Sequence, residues 1–174
     1  MTLDFTGERF IPGVQGEVAL EHLHRYALAS KYVDNLKVLD IASGEGYGSE
    51  ILARNANLVY GADISNDSIK FASEKYSSIN NLKFIQCDCK NIPLDENFFD
   101  VVVSFETIEH HDLHDEMIQE VKRVLKKDGI LIISSPNKLI YSDKPKYKNP
   151  YHIKELYTEE FVVLLKKYFN LVEL

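Results

Sequence analysis

Apolar and polar positions along the chain follow two alternating patterns, and together they predict strands and helices in turn. Short runs that are almost wholly apolar are typical of strands covered on both faces. Such runs predict five strands, at residues 38–42, 58–63, 82–87, 99–106 and 130–135, and residues 170–174 begin a sixth. Alternation of strands with helical segments predicts an α/β fold with a mainly parallel sheet and helices on both faces.

Apolar residues at helical spacing predict the helices between the strands. The first helix covers residues 17–33 and follows an irregular arm over residues 1–16. The helix before the fifth strand is expected to stop at Asp128 and Gly129, and Thr158 is expected to cap the last helix. The chain has 174 residues, which suffices for a single domain over residues 1–174 and not for two.

Charge and composition exclude several classes of partner. The net charge of −7 argues against binding to a nucleic-acid backbone, which needs a basic surface. The chain holds no apolar run of about 18 residues, so no membrane span is predicted, and its start lacks a signal-peptide pattern. Cys87 and Cys89 share one face of a strand, which disfavours a disulfide between them. A cytoplasmic location is therefore expected.

One basic stretch, over residues 138–154, departs from this acidic balance. It contains five lysines interleaved with three tyrosines. Two interpretations remain open for it. It is either a solvated loop or a surface that attracts an anionic group of a substrate, such as a nucleotide or a phosphate.

The strongest chemical signal is a glycine-rich turn after the first strand. Asp40 lies near the end of the buried strand VLDIA. Glycines at 44, 46 and 48 then allow a tight turn that exposes backbone N–H groups at a helix start. One ligand that binds at such a turn is a nicotinamide dinucleotide. The sequence motif for that ligand is G-x-G-x-x-G, however, and Ser49 stands at the position of its third glycine. Glu45 would also repel a pyrophosphate, whereas a ligand with a cationic amine and a sulfonium suits this acidic turn.

Two further carboxylates follow neighbouring strands. Asp63 ends the second strand, and a carboxylate at that position can accept hydrogen bonds from a ribose diol. Asp88 follows the third strand and can accept a hydrogen bond from an adenine amino group. The alternatives are a role near a helix N-terminus for Asp63 and an ordinary loop carboxylate for Asp88.

These motifs resemble the class I S-adenosylmethionine (SAM) dependent methyltransferases with a D-x-G-x-G-x-G loop. Here that loop runs from Asp40 to Gly46, with Ala42 in place of the first glycine. Three later segments resemble further landmarks of the family, in the same order: GADIS, the segment from CDCK to FETIEHH, and EVKRVLKKDGILIISSPN. The resemblance implies a Rossmann-like methyltransferase sandwich that binds SAM and releases S-adenosylhomocysteine.

The resemblance also implies which residues hold the cofactor. The methionine part and its amine would lie against Asp40 and the loop, and Arg25 could pair with the cofactor's carboxylate. Asp63 and Ile64 would hold the ribose, and Asp88 and Cys89 would hold the adenine. The residues at 105 and 106 would line the site near the sulfur. The full set of expected cofactor residues is Arg25, Asp40, Ala42, Gly44, Glu45, Gly46, Asp63, Ile64, Asp88, Cys89, Phe105 and Glu106.

A hydroxyl acceptor benefits from a base with a pKa near neutrality, and histidine meets that need. His110 follows the fourth strand and His152 follows the fifth, so both are candidate catalytic bases. His110 and His114 also have the spacing of a metal pair on one helical face. Polar clusters at a helix start are common, so no metal is expected.

The start of the chain and NPYHIKELYTEEF resemble methyltransferases associated with glycan and polysaccharide assembly. Residues 1–35 would then form an arm and helix that cover the cofactor site of a core over residues 36–174. We expect a SAM-dependent methyltransferase that acts on a sugar hydroxyl of a glycan or nucleotide-sugar precursor. Another small-molecule acceptor, or a non-catalytic SAM-binding module of a larger assembly, remains an alternative.

The resemblance also concerns the end of the chain. Class I methyltransferases generally have seven strands in the order 3-2-1-4-5-7-6, whereas this sequence stops inside the sixth. We expect a C-terminally short fold without the seventh strand: a natural short form, a truncated piece or one module of a longer protein. Direct pairing of the fifth and sixth strands, a second copy of the chain or a partner domain would cover the exposed sheet edge.

Overall fold

The computed structural model describes residues 17–174, and the side chains from residue 20 onward. The expected irregular arm over residues 1–16 lies outside the described residues. Within the described part, no helix has both the length and the apolar character that a membrane crossing requires.

Five parallel strands form one sheet in the order β3-β2-β1-β4-β5. The strands are β1 (Lys37–Ile41), β2 (Leu58–Asp63), β3 (Leu82–Gln86), β4 (Phe99–Phe105) and β5 (Leu125–Ser134). The central strands β1 and β4 are the most buried, because helices cover both of their faces. In the register, Asp40 of β1 lies between Gly61 and Val103.

Five α-helices between residues 17 and 174 connect and cover the strands. They are α1 (Glu17–Ala29), α2 (Tyr47–Ala53), α3 (Asn66–Lys75), α4 (His114–Val124) and α5 (Thr158–Lys166). One buried cluster joins α1 and α2 to the sheet through Tyr26, Leu52 and Val101, and the other joins α4 and α5 to it through Met117 and Leu165. The two clusters together confirm the expected Rossmann-like arrangement with helices on both faces of a parallel sheet.

Two predicted helix ends and the predicted start of the fifth strand, at residue 130, are wrong. The first helix ends at Ala29 and continues only as a 3₁₀ turn, so it does not reach residue 33 as an α-helix. The fourth helix ends at Val124, before the expected stop at Asp128 and Gly129. The reason is strand pairing. The backbone N–H groups of residues 97 and 98, just before β4, donate to the carbonyl oxygens of residues 123 and 124, and Phe99 then faces Leu125 across the ladder.

Thr158 is the first helical residue of α5 and not its cap. The cap is Tyr157, whose backbone N–H donates to Glu160 Oε2 at 3.0 Å. The Thr158 hydroxyl instead accepts a hydrogen bond of 2.7 Å from the side-chain amide of Asn137. This contact ties the start of α5 to the segment that leaves β5.

The predicted sixth strand is also wrong. Residues 170–174 have no strand structure, and no described segment pairs with them. The side chains of Leu171 and Leu174 are largely exposed, while Val172 packs against the core cluster of α4 and α5. The apolar pattern of these residues favours a strand, but a strand also needs a hydrogen-bonded neighbour.

Candidate functional site

The loop between β1 and α2 turns through three left-handed backbone conformations. Ala42 has φ 59°, Gly44 has φ 54° and Gly46 has φ 80°. Glycine adopts this region at little cost, whereas an alanine is strained there by roughly 1–2 kcal/mol. Gly46 needs its missing side chain for a second reason, because a Cβ there would lie 2.5 Å from the ring of Phe84. The sequence of the loop therefore enforces its tight path.

Asp63 at the end of β2 holds this loop in place. Its Oδ2 accepts a hydrogen bond of 2.9 Å from the backbone N–H of Gly44. Its Oδ1 accepts one of 2.8 Å from the backbone N–H of Ser65, the residue that caps α3. An ionised carboxylate offers about four lone-pair positions, so these two bonds leave capacity for a ligand.

Asp40 supports the loop from below and does not face a cavity. Its side chain is fully buried and accepts hydrogen bonds from the Tyr26 hydroxyl at 3.0 Å and from Ser49 Oγ at 2.6 Å. Burial raises the pKa of Asp40 to about 7, and the nearby charge of Asp63 acts in the same direction, while the two hydrogen bonds oppose the shift. In this structure Asp40 therefore holds Tyr26 and Ser49 beside the loop, and its expected contact with a cofactor amine stays a prediction.

A cleft of about 540 Å³ opens beyond the carboxyl ends of β1 and β4, where ligands bind in open α/β sheets. A second cavity of about 210 Å³ adjoins it on the side of β2 and β3. Most residues that the sequence analysis assigned to the cofactor line the larger cleft, namely Arg25, Ala42, Gly44, Glu45, Asp63, Ile64, Phe105 and Glu106. Asp40 and Gly46 line neither cavity.

The smaller cavity brings together the residues that were expected to hold an adenine. It is largely apolar, and Ile64, Cys89 and Ile92 contribute to its lining. Asp88 stands at the same cavity, but both of its oxygens already interact with Lys90, through the backbone N–H at 3.0 Å and Nζ at 3.3 Å. An apolar slot with a carboxylate in its lining suits a flat aromatic ring with an amino group.

Arg25 of α1 reaches across the larger cleft. Its Nη2 lies 3.5 Å from Glu106 Oε1 and 3.8 Å from Glu21 Oε2. Glu106 Oε1 also accepts a hydrogen bond of 2.6 Å from Ser134 Oγ, at the end of β5. This ion pair joins α1 to the sheet, and the guanidinium still has further N–H donors for a carboxylate ligand.

The two candidate bases, His110 and His152, meet at the far end of the same cleft. Their ring centroids are 5.1 Å apart in an edge-to-face arrangement. The ring of His152 also stacks on Tyr141, with a centroid distance of 5.1 Å. The structure thus joins two histidines that are 42 residues apart in the sequence.

Glu109 is the residue of this group that sequence reasoning missed. Its side chain is buried, and one oxygen accepts a 3.2 Å hydrogen bond from Ser135 Oγ. Burial raises the pKa of Glu109 to about 8. Its backbone oxygen accepts hydrogen bonds from the N–H groups of Ile153 and Lys154, which holds the segment of His152 beside it. The only sequence signal was its position directly before His110.

The other two histidines of the HHDLH segment point elsewhere. His111 Nε2 lies 3.3 Å from Met117 Sδ and 3.6 Å from Cys89 Sγ. His114 Nε2 lies 2.8 Å from the backbone oxygen of His111. Burial lowers the pKa of both imidazoles. The helical pair of His110 and His114 considered from the sequence therefore does not form a common ligand set in this structure.

Comparisons with known proteins bear on the family and the fold of the chain. The family model described as "Methyltransferase domain" matches residues 33–169. A probable S-adenosylmethionine-dependent methyltransferase of Mycobacterium tuberculosis is 32% identical over 168 residues, which are 94% of this chain and 60% of the relative. A ubiquinone biosynthesis O-methyltransferase of Pelagibacter ubique is 34% identical over 115 residues, which are 66% of this chain and 48% of the relative.

A solved structure is similar over most of the chain as well. The PH0226 protein of Pyrococcus horikoshii superposes with a TM-score of 0.77 at 26% identity, covering 89% of this chain and 83% of that protein. The present chain spans about 60% of the length of the mycobacterial relative. Because the family match extends over most of the sequence and the fold agrees with it, the chain belongs to the methyltransferase domain family.

Proposed function

We propose that this domain transfers a methyl group from SAM to a hydroxyl group of a small-molecule acceptor. One observation carries the proposal. A single cleft is lined at one end by the glycine loop and Asp63, and at the other end by Glu109, His110 and His152. The first group is suited to a cofactor, and the second is suited to an acceptor that must lose a proton.

The residues of the cleft fit SAM in charge and in shape. Carboxylates of Glu45, Asp63 and Glu106 line the side where a cationic amine and a sulfonium would lie, and Arg25 offers a partner for a carboxylate. The apolar cavity beside Asp88 is suited to the adenine. When bound, SAM would supply an electrophilic methyl group on its sulfonium sulfur.

The residues of this chain have three tasks in such a transfer. The glycine loop and Asp63 position the cofactor, and Arg25 of α1 closes the cleft over it and limits the access of water. His110 and His152 are the proposed groups that manage the proton of the acceptor hydroxyl. The carbonyl oxygen of Tyr151 lies 3.1 Å from His110 Nδ1, which requires Nδ1 to donate and leaves a lone pair on Nε2.

The acceptor is proposed only as a class. The Pelagibacter ubique relative is named as an O-methyltransferase, which favours oxygen as the accepting atom. That relative is named for ubiquinone biosynthesis, so the expected restriction to a sugar hydroxyl is not kept. A lysine-lined cavity of about 520 Å³ shares His152 with the cleft and would favour acceptors with an anionic group, such as the phosphates of a nucleotide sugar.

Methyl-labelled SAM tests the proposal against a panel of nucleotide sugars, phenols and hydroxy acids. We expect label on an acceptor oxygen, and His110→Ala should reduce turnover by about 10²–10⁴-fold, the usual contribution of a general base. His24→Ala is the matched control, because His24 is exposed on α1 and lines neither cavity. Binding of SAM without transfer to any member of the panel would instead favour a non-catalytic binding module.

A further inference from the structure

The three polar groups at the acceptor end of the cleft form a ligand set. Glu109, His110 and His152 each offer one donor atom, and these atoms all lie within 4.8 Å of one another. Bonds of about 2.0–2.2 Å to a first-row divalent cation place two ligands of one ion at most about 4.4 Å apart. Small side-chain adjustments therefore bring the group into binding range.

Neighbouring acceptors orient both imidazoles for a cation. His152 Nδ1 lies 2.6 Å from Glu155 Oε1, and His110 Nδ1 lies 3.1 Å from the carbonyl oxygen of Tyr151. Both partners only accept, so each Nδ1 carries the hydrogen and each Nε2 keeps its lone pair. A histidine that ligates a metal typically donates its other N–H to a carboxylate or a carbonyl in this way.

The carboxylate of the set has an unsatisfied oxygen. Glu109 is 1% exposed, and its Oε1 is buried without a hydrogen-bond partner, while Oε2 accepts from Ser135. A buried carboxylate oxygen with no partner costs free energy unless something compensates its charge. A cation bound beside the two histidines would supply that compensation.

We propose that Glu109, His110 and His152 form a divalent-cation site at the acceptor end of the cleft. Two imidazoles and one carboxylate suit a first-row ion such as Mn²⁺, Fe²⁺ or Zn²⁺. Three protein ligands leave coordination positions open for oxygen atoms of another molecule. Under the proposed function, on which this role rests, the ion would bind the acceptor oxygen and polarise its O–H bond, which favours loss of the hydroxyl proton to solvent. With the ion bound, His110 and His152 act on the proton through the ion, as its ligands, and do not accept it themselves.

From the sequence no metal was expected, because polar clusters at a helix start are common, and the pair considered there was His110 and His114. In the described part of the chain, Glu109, His110 and His152 are the group whose donor atoms come together. His152 Nε2 also lies 3.2 Å from the side-chain amide of Asn149, so a bound ion would take the place of that contact. Glu155, which orients His152, adds a further negative charge near Glu109.

Titration calorimetry with MnCl₂, in the absence of SAM, tests the site directly. We expect one Mn²⁺ per chain, and a loss of affinity of at least tenfold in Glu109→Gln and in His152→Gln. Glu155→Gln should weaken binding by about 10–100-fold, as changes to an orienting partner do. His24→Gln, on the exposed face of α1, should bind Mn²⁺ like the wild-type chain.

Two results would overturn the site. One is the absence of heat and of bound metal with Mn²⁺, Zn²⁺ and Mg²⁺ at millimolar concentration, and the other is wild-type affinity in Glu109→Gln. Circular dichroism reports whether each variant is folded, and His110→Gln replaces any variant that is not. SAM binding is measured separately in EDTA, so that the two proposals can fail independently. If SAM binds but Mn²⁺ does not, the metal site is refuted and the proposed function stands. If Mn²⁺ binds but SAM does not, the proposed function is refuted and the metal site stands.

Discussion

The buried carboxylate of Asp40 makes the stability of this domain depend on pH, and replacing it with asparagine tests that dependence. Asparagine keeps the size of the side chain and can still accept a hydrogen bond from Tyr26 or Ser49, but it does not ionise. Because burial raises the pKa of Asp40 to about 7 in the folded chain, from an ordinary value of 3.8, folding favours the protonated acid.

The size of the effect follows from proton linkage. A raised acid pKa contributes stability that is present below the unfolded pKa and is lost as the pH rises through the folded pKa. Each pH unit between these two values is worth about 1.4 kcal/mol. Between pH 5 and pH 8 the wild-type chain should therefore lose roughly 2–3 kcal/mol relative to Asp40→Asn, nearly all of it below pH 7.5.

Urea denaturation of both proteins at pH 5, 6, 7 and 8, without cofactor, measures this difference. Burial lowers the pKa of His22, His111 and His114, which shifts stability in the opposite direction. These histidines are the same in both proteins, so their effect cancels in the comparison. The exposed Asp128→Asn is the control and should show a constant difference. A wild-type minus Asp40→Asn difference that stays constant across the four pH values would refute the reasoning.

Two further predictions concern the backbone near the loop. Ala42→Gly should raise the melting temperature by about 1–3 °C. The reason is that relief of the backbone strain at φ 59° exceeds the entropy cost of glycine by roughly 0.5–1 kcal/mol. A lower melting temperature in the variant would contradict this. Gly48→Ala should lose about 2–3 kcal/mol in urea denaturation, because its Cβ would lie 2.0 Å from the ring of Tyr26. An equally stable Gly48→Ala would mean that α1 and α2 pack less closely than the structure shows.

The glycine loop and the acid after β2 were predictable because their signals are local. A buried strand, a turn rich in glycine and a helix start follow one another within a few residues, and Asp63 stands at the end of the next strand. The parallel sheet then places both at the same edge, since the carboxyl ends of its strands meet there. The proposed cofactor half of the cleft could therefore be selected without knowledge of distant contacts.

The acceptor half was only partly predictable. His110 and His152 were chosen as separate candidates, and nothing in their spacing indicates that their rings are 5.1 Å apart. That proximity depends on hydrogen bonds from Ile153 and Lys154 to the backbone oxygen of Glu109. The same distant contact brings Glu109 close to His152, so sequence reasoning had no reason to select it.

The errors at element ends have a similar origin. The pattern around Asp128 and Gly129 is a sound stop signal for an isolated helix, yet strand pairing with β4 begins already at Leu125. The segment at residues 170–174 has a strand-like composition but no hydrogen-bonded neighbour among the described residues. Propensity is a local property, whereas a sheet edge is set by which strands are available to pair.

Titration calorimetry with SAM shows whether the cleft is a cofactor site. We expect the chain to bind SAM at one site, and Asp63→Ala to weaken binding by roughly 1–3 kcal/mol, or about 5–150-fold, through loss of a ligand contact and of the bond to Gly44. Asp67→Ala, an exposed acid in the first turn of α3, should bind SAM like the wild-type chain. No binding at millimolar SAM, or equal affinity in Asp63→Ala, would contradict the assignment of this cleft to the cofactor.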